Sequence, residues 1–454
     1  MESNARTHGF ETLRVEGEIP EVLKGTLFRT GPGVFERFGK KVHHPFEADG
    51  VVSAVRFDGT GARGAARVVK SKGYREEAQA GRYLYNSTAR LLDYLRSNKN
   101  GETKTTGNTA TFYWQGRLFA LMEGGKPQEM DPKSLDTLDH VDLGGVIKGA
   151  FSAHPHYVNS LDSYFNFGVR YGRKMEVDLC ALPLNGAARH LGSFEGPWTT
   201  MVHDFAVTDK HFIFVFAPAR LVIWRALTRI GGMSKLFRWD PRMGCQIVRI
   251  PLNDPERIER FELDAFWLWH TVNAFETQTG TVVDICAYPR LEMDFLTIDR
   301  GDAPKPYLER LVLSGEQVER QKLWDVACEF PIVPEPLQGQ AYDRCFFHLQ
   351  HDDGFELAAY TLSTGHHRSW PCPDGHEPSE PIFVPQPDAP LHGWLLSLVA
   401  DTKQSRSYLA ILETERIEDG PIAKVWFDHQ IPTTFHGCWV PASDSVVAQP
   451  AAAD

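Results

Sequence analysis

His154 in FSAHPHY, His203 in MVHDFAVT, His270 in WHTVNAFE and His436 in FHGCWVP each stand in a largely apolar setting, where an unpartnered imidazole is costly. Spacings of 49 and 67 residues between the first three, with the fourth near the far end of the chain, rule out a single helix or loop as their support. The whole domain has to bring them together, and their chemistry points to a metal centre. Four imidazoles form an all-nitrogen donor set suited to Fe, Zn, Cu or Ni. A structural zinc normally takes thiolates, and a catalytic zinc keeps three protein ligands and a water in a tetrahedron. Around an octahedral iron, four imidazoles leave two positions, enough for dioxygen and little else.

A metal-bound imidazole also needs a partner for its other ring nitrogen. That partner is commonly a carboxylate, which sets the tautomer and aims the ring. Glu123 in LFALMEGGKP, Glu329 in VACEFPIV and Glu380 in PSEPIFVP share the apolar surroundings and are the candidates. Three carboxylates against a divalent cation leave about one negative charge, so such a core is nearly compensated.

A site assembled from distant segments needs a rigid scaffold, and the chain has the texture of short strands. GRLFALM (116–122), HFIFVFA (211–217), TVVDICAY (281–288), GWLLSLVAD (393–401) and SYLAILE (407–413) are strand-length apolar runs closed by polar, Gly or Pro breaks. Helical periodicity is confined to STARLLDYLRSNK (87–99), with Ser87 or Thr88 as its cap, and PARLVIWRALTRIGGMSKLF (218–237). No low-complexity linker interrupts the chain, so residues 1–454 read as one domain with a disordered tail at 445–454. Many strands without a helical layer imply a large barrel, sandwich or propeller. No clean repeat of 40 to 50 residues sets a blade number.

Composition narrows the function classes. The 42% apolar and 11% aromatic content supplies a large core, and a formal charge of −11 argues against a nucleic-acid partner. Seven cysteines without a CxxC pair read as reduced thiols of a cytoplasmic protein rather than a disulfide framework. MESNARTHGFETLRVEGEIP lacks an apolar signal core, and no long uncharged apolar run could span a bilayer. No dinucleotide fingerprint follows a strand, which agrees with chemistry that needs no organic cofactor.

The segments GTLFRTGPG, HPFEADGVV, NTATFYWQGRLFALMEGG, FSAHPHY, MVHDFAVT, WHTVNAFE, EFP, EPIFVPQPDA, GWLLSLVAD and FHGCWVP, in this order, resemble the motif series of the carotenoid cleavage oxygenases. That family also includes lignostilbene dioxygenases and the retinal-pigment isomerase, and the resemblance runs from about residue 20 to residue 441. It implies an all-β chain forming a seven-bladed β-propeller, with a few helices and loops as a cap over an axial iron site. It carries Fe(II) ligand roles onto His154, His203, His270 and His436, and carboxylate-support roles onto Glu123, Glu329 and Glu380. Thr109, in NTATFYW, falls where the family places a small side chain whose methyl blocks one iron position. The implied reaction is cleavage of a conjugated alkene by O2 into two carbonyl products. His43, His44 and His156 match no ligand position of the series.

Substrate class is the next question. Where stilbene-cleaving members carry a Lys directly before the first supporting glutamate, this chain has Met122, and Lys126 and Lys133 are out of that register. Methionine lines an apolar tunnel but cannot hydrogen-bond a phenol as a donor. Phe151, Phe205, Trp269 and Phe275 are further tunnel candidates. In the 218–237 segment Leu221, Ile223, Trp224 and Leu227 are interleaved with arginines, a pattern shared by a helix lying in a membrane interface and an ordinary core-packing helix, and its place matches the nonpolar patch of carotenoid-cleaving members. Both features favour a carotenoid or apocarotenoid taken from a lipid surface. A phenylpropanoid or stilbene-type alkene, and a retinoid or carotenoid isomerase or binding protein that does not cleave, are the alternatives.

Overall fold

The short apolar runs become strands: Arg117–Leu121, His211–Phe216, Thr281–Tyr288, Ala389–Asp401 and Arg406–Glu413 cover the five expected segments. The computed structural model describes residues 6–59, 61–97, 104–228, 232–294 and 302–444, so the tail at 445–454 lies outside the described residues. The chain divides into two compact units, residues 1–141 with 370–454, and residues 142–369.

The first unit contains three antiparallel sheets of four or more strands. One joins His8–Thr12, Ala62–Val68, Asp49–Phe57, Gly25–Val34 and Gly437–Pro441. The second runs from Ala110–Trp114 to Thr137–His140, and the third is built around Ala389–Asp401 and Arg406–Glu413. In the second unit one sheet spans His156–Val158 to Arg189–Glu195, and another joins Ala206–Val207, His211–Phe216, Cys245–Pro251 and Glu259–Leu263. The remaining strands, beginning with Trp267–Glu276, form a continuous run of seven. In that run the 16-residue strand Gln317–Ile332 pairs first with Tyr307–Ser314 and then, past a break in register, with Arg344–Gln350. One strand thus serves two sheets, and the second unit holds four, giving seven four-stranded or larger sheets among the described residues.

Strands buried on both faces explain why several runs are apolar throughout rather than alternating. His211–Phe216 is buried along almost its whole length, and Phe167, Phe205, Phe212, Phe214 and Phe216 interlock at ring separations of 5.3 to 6.4 Å. Such edge and offset contacts add to the area term of aromatic burial. Cys180, Cys245, Cys286, Cys328 and Cys345 are buried thiols.

The helical expectations need correction. The 87–99 segment is helical only over Leu91–Ser97, and residues 98 and 99 lie outside the described residues. Ser87 does not cap it: its N–H and hydroxyl both donate to the Glu47 carboxylate, at 2.8 and 2.6 Å. The 218–237 segment is a small hairpin, Ala219–Leu221 with Phe237–Trp239, enclosing a six-residue helix Ile223–Thr228. Gly232 at φ 66° turns the chain back where a helix would have continued. A helix that periodicity did not mark, Lys72–Ala80, is capped by the Ser71 hydroxyl and ended by Gly81 in the left-handed conformation.

The sheets place the site residues in a repeated way. His154, His203, His436, Thr109 and Glu380 each lie just before an end strand of their sheet, and His270 and Glu329 lie within one. The ends of sheets therefore present the residues singled out for chemistry.

Candidate metal centre

In the second unit three imidazoles converge. His154 Nε2 is 3.1 Å from His203 Nε2, which is 3.4 Å from His270 Nε2. His203 and His270 are 6% and 7% exposed. His154 is fastened through its backbone N–H to the Ser152 hydroxyl, and Ser152 accepts at its carbonyl from Asn166 and donates its N–H to Phe167. The strand carrying Asn166 and Phe167 approaches so closely that a Cβ at Gly168 would meet the Ala150 carbonyl oxygen at 1.9 Å.

His270 interrupts the regular ladder of Trp267–Glu276, where the register shifts between Leu268 and Thr271. Its Nδ1 is 2.5 Å from Glu329 Oε2, so the proton sits on Nδ1 and Nε2 keeps its lone pair. Glu329 Oε2 also accepts the N–H of Phe330 at 2.6 Å. Phe330 holds a left-handed backbone, φ 49°, unusual for a bulky residue, and its ring lies 5.1 Å from that of His270. Burial pushes the Tyr288 hydroxyl well above its ordinary range, and the neighbouring Glu329 adds to the shift.

Whether a cation fits follows from these distances. Ring nitrogens at 3.1 and 3.4 Å, one of them fixed as a lone pair, cannot all satisfy one another by hydrogen bonding. Metal–nitrogen bonds of about 2.0–2.1 Å place adjacent ligands on one ion about 3.0–3.4 Å apart, so the spacing suits a shared metal.

Asp204, next to His203 and 4% exposed, is a residue the sequence reading passed over. Its Oδ1 receives His156 Nε2 at 2.7 Å and the Phe205 N–H at 2.8 Å. Its Oδ2 receives the N–H and hydroxyl of Thr271 at 2.7 and 2.8 Å. Burial raises the carboxyl's affinity for a proton, but His156 and His154 outweigh it and hold Asp204 well below the usual carboxylate range. The available signals were a carboxylate directly after one candidate ligand and a histidine two residues after another.

In the first unit His436 is 8% exposed and its Nδ1 is 2.8 Å from Glu380 Oε1, repeating the His270 and Glu329 arrangement. Glu380 Oε2 accepts from Arg29 Nη1 at 3.0 Å. Arg29, 2% exposed, also donates to the carbonyls of Glu380 and Phe435 and to the Thr434 hydroxyl. The sequence signal for Arg29 was a lone cation in the apolar strand GTLFRTGPG. The His436 N–H donates to the Thr109 carbonyl at 3.0 Å, so these two residues are neighbours. The Thr109 hydroxyl donates to Asn108 Oδ1 at 3.2 Å, which leaves its methyl as the branch without a polar contact.

Glu123 lies half-buried on the turn after Arg117–Leu121. Met122 is also half-buried, with its sulfur against the N–H of Thr106 at 3.2 Å. Phe151 and Trp269 are buried, and the Trp269 ring stands edge-on to His203 at 4.8 Å. Phe205 has no exposed surface and packs within the aromatic core. Phe275 is half-buried beside Tyr342 and Arg310. Ile223, Trp224 and Leu227 are 63%, 53% and 60% exposed, and Leu221 is half-buried. No described helix is long and apolar enough to cross a membrane.

Comparison with known proteins gives a consistent set of relatives. The retinal pigment epithelial membrane protein family matches residues 2–441. Apocarotenoid-15,15'-oxygenase of Synechocystis is 30% identical over 94% of this chain and 92% of its own. Isoeugenol monooxygenase of Pseudomonas nitroreducens is 28% identical over 94% of each chain. The crystal structure of the cobalt-substituted Synechocystis apocarotenoid oxygenase superposes with a TM-score of 0.87 at 29% identity, over 95% of both chains. The fold is that of the seven-bladed propeller family.

Proposed function

Because the chain belongs to the retinal pigment epithelial membrane protein family, which includes the carotenoid cleavage oxygenases, we propose that it uses Fe(II) and O2 to cleave a conjugated C=C bond of a carotenoid or apocarotenoid. The observation that carries the reading is the convergence of His154, His203 and His270 at cis-ligand spacing. His436 is proposed as the fourth ligand from its place in the family's motif series, and, like His270, it has its Nδ1 against a glutamate.

Bound iron would supply the activation of dioxygen. Both oxygen atoms leave in products, one on each new carbonyl, so no external reductant is required. The protein's contribution is to hold and orient. Glu329 and Glu380 keep protons on Nδ1 of His270 and His436, which leaves Nε2 of each as a donor to metal. By the motif series Glu123 would take the corresponding supporting role, and the Thr109 methyl, on the residue hydrogen-bonded to the His436 N–H, would restrict access to bound iron. Met122, Phe151 and Trp269 are proposed as apolar tunnel residues from their places beside the motif residues. Phe275 is proposed for the same tunnel, whereas Phe205, expected there from the sequence, has no exposed surface and serves the aromatic core instead. Met122 favours a polyene over a phenol, because a thioether offers no donor to a phenolic oxygen.

The test is product analysis by mass spectrometry after the Fe(II)-loaded protein is given an equimolar mixture of an apocarotenal and a 4-hydroxystilbene in air. Cleavage of the apocarotenal is the expected result. Cleavage of the stilbene alone would transfer the assignment to phenylpropanoid alkenes, and cleavage of neither would favour an isomerase or binding protein.

The exposed Ile223, Trp224 and Leu227, with the Arg225 guanidinium 5.1 Å from the Trp224 ring, form a small apolar surface with a basic member. We propose that it rests on the lipid from which the substrate is taken. Replacing all three by Ser should lower co-sedimentation with anionic liposomes several-fold, whereas unchanged co-sedimentation removes the lipid role.

A further inference from the structure

We infer that Asp204 is a positioning residue of the metal centre, tying together the three chain segments that carry His154, His203 and His270. This rests on the metal-centre reading above and adds to it a carboxylate that touches none of the three ligand nitrogens. Asp204 adjoins His203 in the chain, His156 lies two residues after His154, and Thr271 directly follows His270. The carboxylate accepts from His156 Nε2, from Phe205 N–H and from both donors of Thr271, all at 2.7 to 2.8 Å. Four donors on two oxygens use the full acceptor capacity of a carboxylate. Every one of those donors belongs to a residue adjacent to a ligand or two positions from one.

The geometry makes the arrangement directional. His156 must present Nε2–H, which fixes its tautomer, and its ring is held edge-on to Phe205 at 5.0 Å. The His270 side is gripped where the strand register breaks, so Thr271 is anchored by a side chain at a point where the ladder is irregular. A backbone ladder alone would leave His270 free to follow that irregularity. Glu329 orients the ring of His270 from its Nδ1, and Asp204 sets the position of its backbone. The two carboxylates thus act on different degrees of freedom of one ligand.

Asparagine in place of Asp204 is the informative change, because it keeps size and shape. An amide offers one acceptor oxygen, and its NH2 must then face either the two Thr271 donors or the pair from His156 and Phe205. One side of the clamp becomes donor against donor. At saturating Co(II), the visible absorption bands of Asp204→Asn should differ from those of the wild type in position or intensity. Competition with a chelator should show a metal affinity about 10- to 100-fold lower. A purely structural role would lower unfolding resistance without altering the saturated cobalt spectrum. Wild-type spectrum and affinity in a folded Asp204→Asn protein overturn the inference. Should that variant fail to fold, His156→Gln and Thr271→Val decide: a loss of affinity in both supports it, and wild-type values in both overturn it. Wild-type protein that takes up no Co(II) or Fe(II) would instead overturn the metal-centre reading itself, and this inference with it.

Discussion

Alanine at position 270 is expected to abolish metal binding and alkene cleavage together while leaving the fold largely intact. His270 sits in an end strand that pairs on one side only and at a point where the register already breaks, so removing one imidazole opens a small polar void without cutting the sheet. The chemical loss is much larger, since the site loses a nitrogen donor and Glu329 loses the N–H it accepts from. Turnover should fall by about 10³-fold or more, equivalent to about 4 kcal/mol of transition-state stabilisation. Metal analysis of the purified protein, product assay and circular dichroism check the three parts of the expectation. Stoichiometric iron with full turnover would remove His270 from the ligand set. Glu329→Gln should be milder, because the amide oxygen can still accept the His270 Nδ1 proton; a 10- to 100-fold loss of metal affinity is expected.

The second large effect concerns stability. Arg29→Met should destabilise the protein by about 3–5 kcal/mol, the usual consequence of leaving one member of a buried ion pair uncompensated. Arg29 and Glu380 side chains are 2% and 8% exposed, and the guanidinium also satisfies two carbonyls and a hydroxyl that would lose their donor. Denaturant titration measures the loss, and the double variant with Glu380→Gln should recover part of it because the stranded charge is gone. An Arg29→Met protein as stable as the wild type would show that water compensates Glu380. The stability of the first unit and the orientation of His436, the proposed fourth ligand, are coupled by this arrangement, since the carboxylate that Arg29 holds is the one against His436 Nδ1.

These residues also show what can be read from a sequence. The strands were legible because apolar runs closed by turn residues carry the local signal of strands stacked on both faces. The four candidate histidines, and Glu329 and Glu380 that pair with two of them, stood out because their apolar settings and motif order are local as well. Arg29, Asp204 and His156 became meaningful only through contacts across the fold, with Arg29 351 residues from Glu380 and His156 48 residues from Asp204. Ser87 misled for the same reason: its partner Glu47 lies 40 residues back, so a good local cap was used elsewhere. The 218–237 segment has real helical periodicity, but pairing between Ala219–Leu221 and Phe237–Trp239 shortens the helix to six residues. Phe330 gave no sequence sign of its left-handed backbone.

The strand Gln317–Ile332 has a further implication for how such chains can change in length. It is paired at one end in one sheet and at the other end in the next, and Glu329 lies on its second half. Side chains alternate faces along a regularly paired strand, so a residue gained or lost between Ala327 and Glu329, past the register break, turns the carboxylate away from His270 even if every hydrogen bond re-forms. The turn between Ser314 and Gln317 bears no such restriction. Insertions and deletions in this part of the chain are therefore confined by phase rather than by burial: variation can accumulate at the hairpin tip, while the stretch past the register break keeps a constant count of residues.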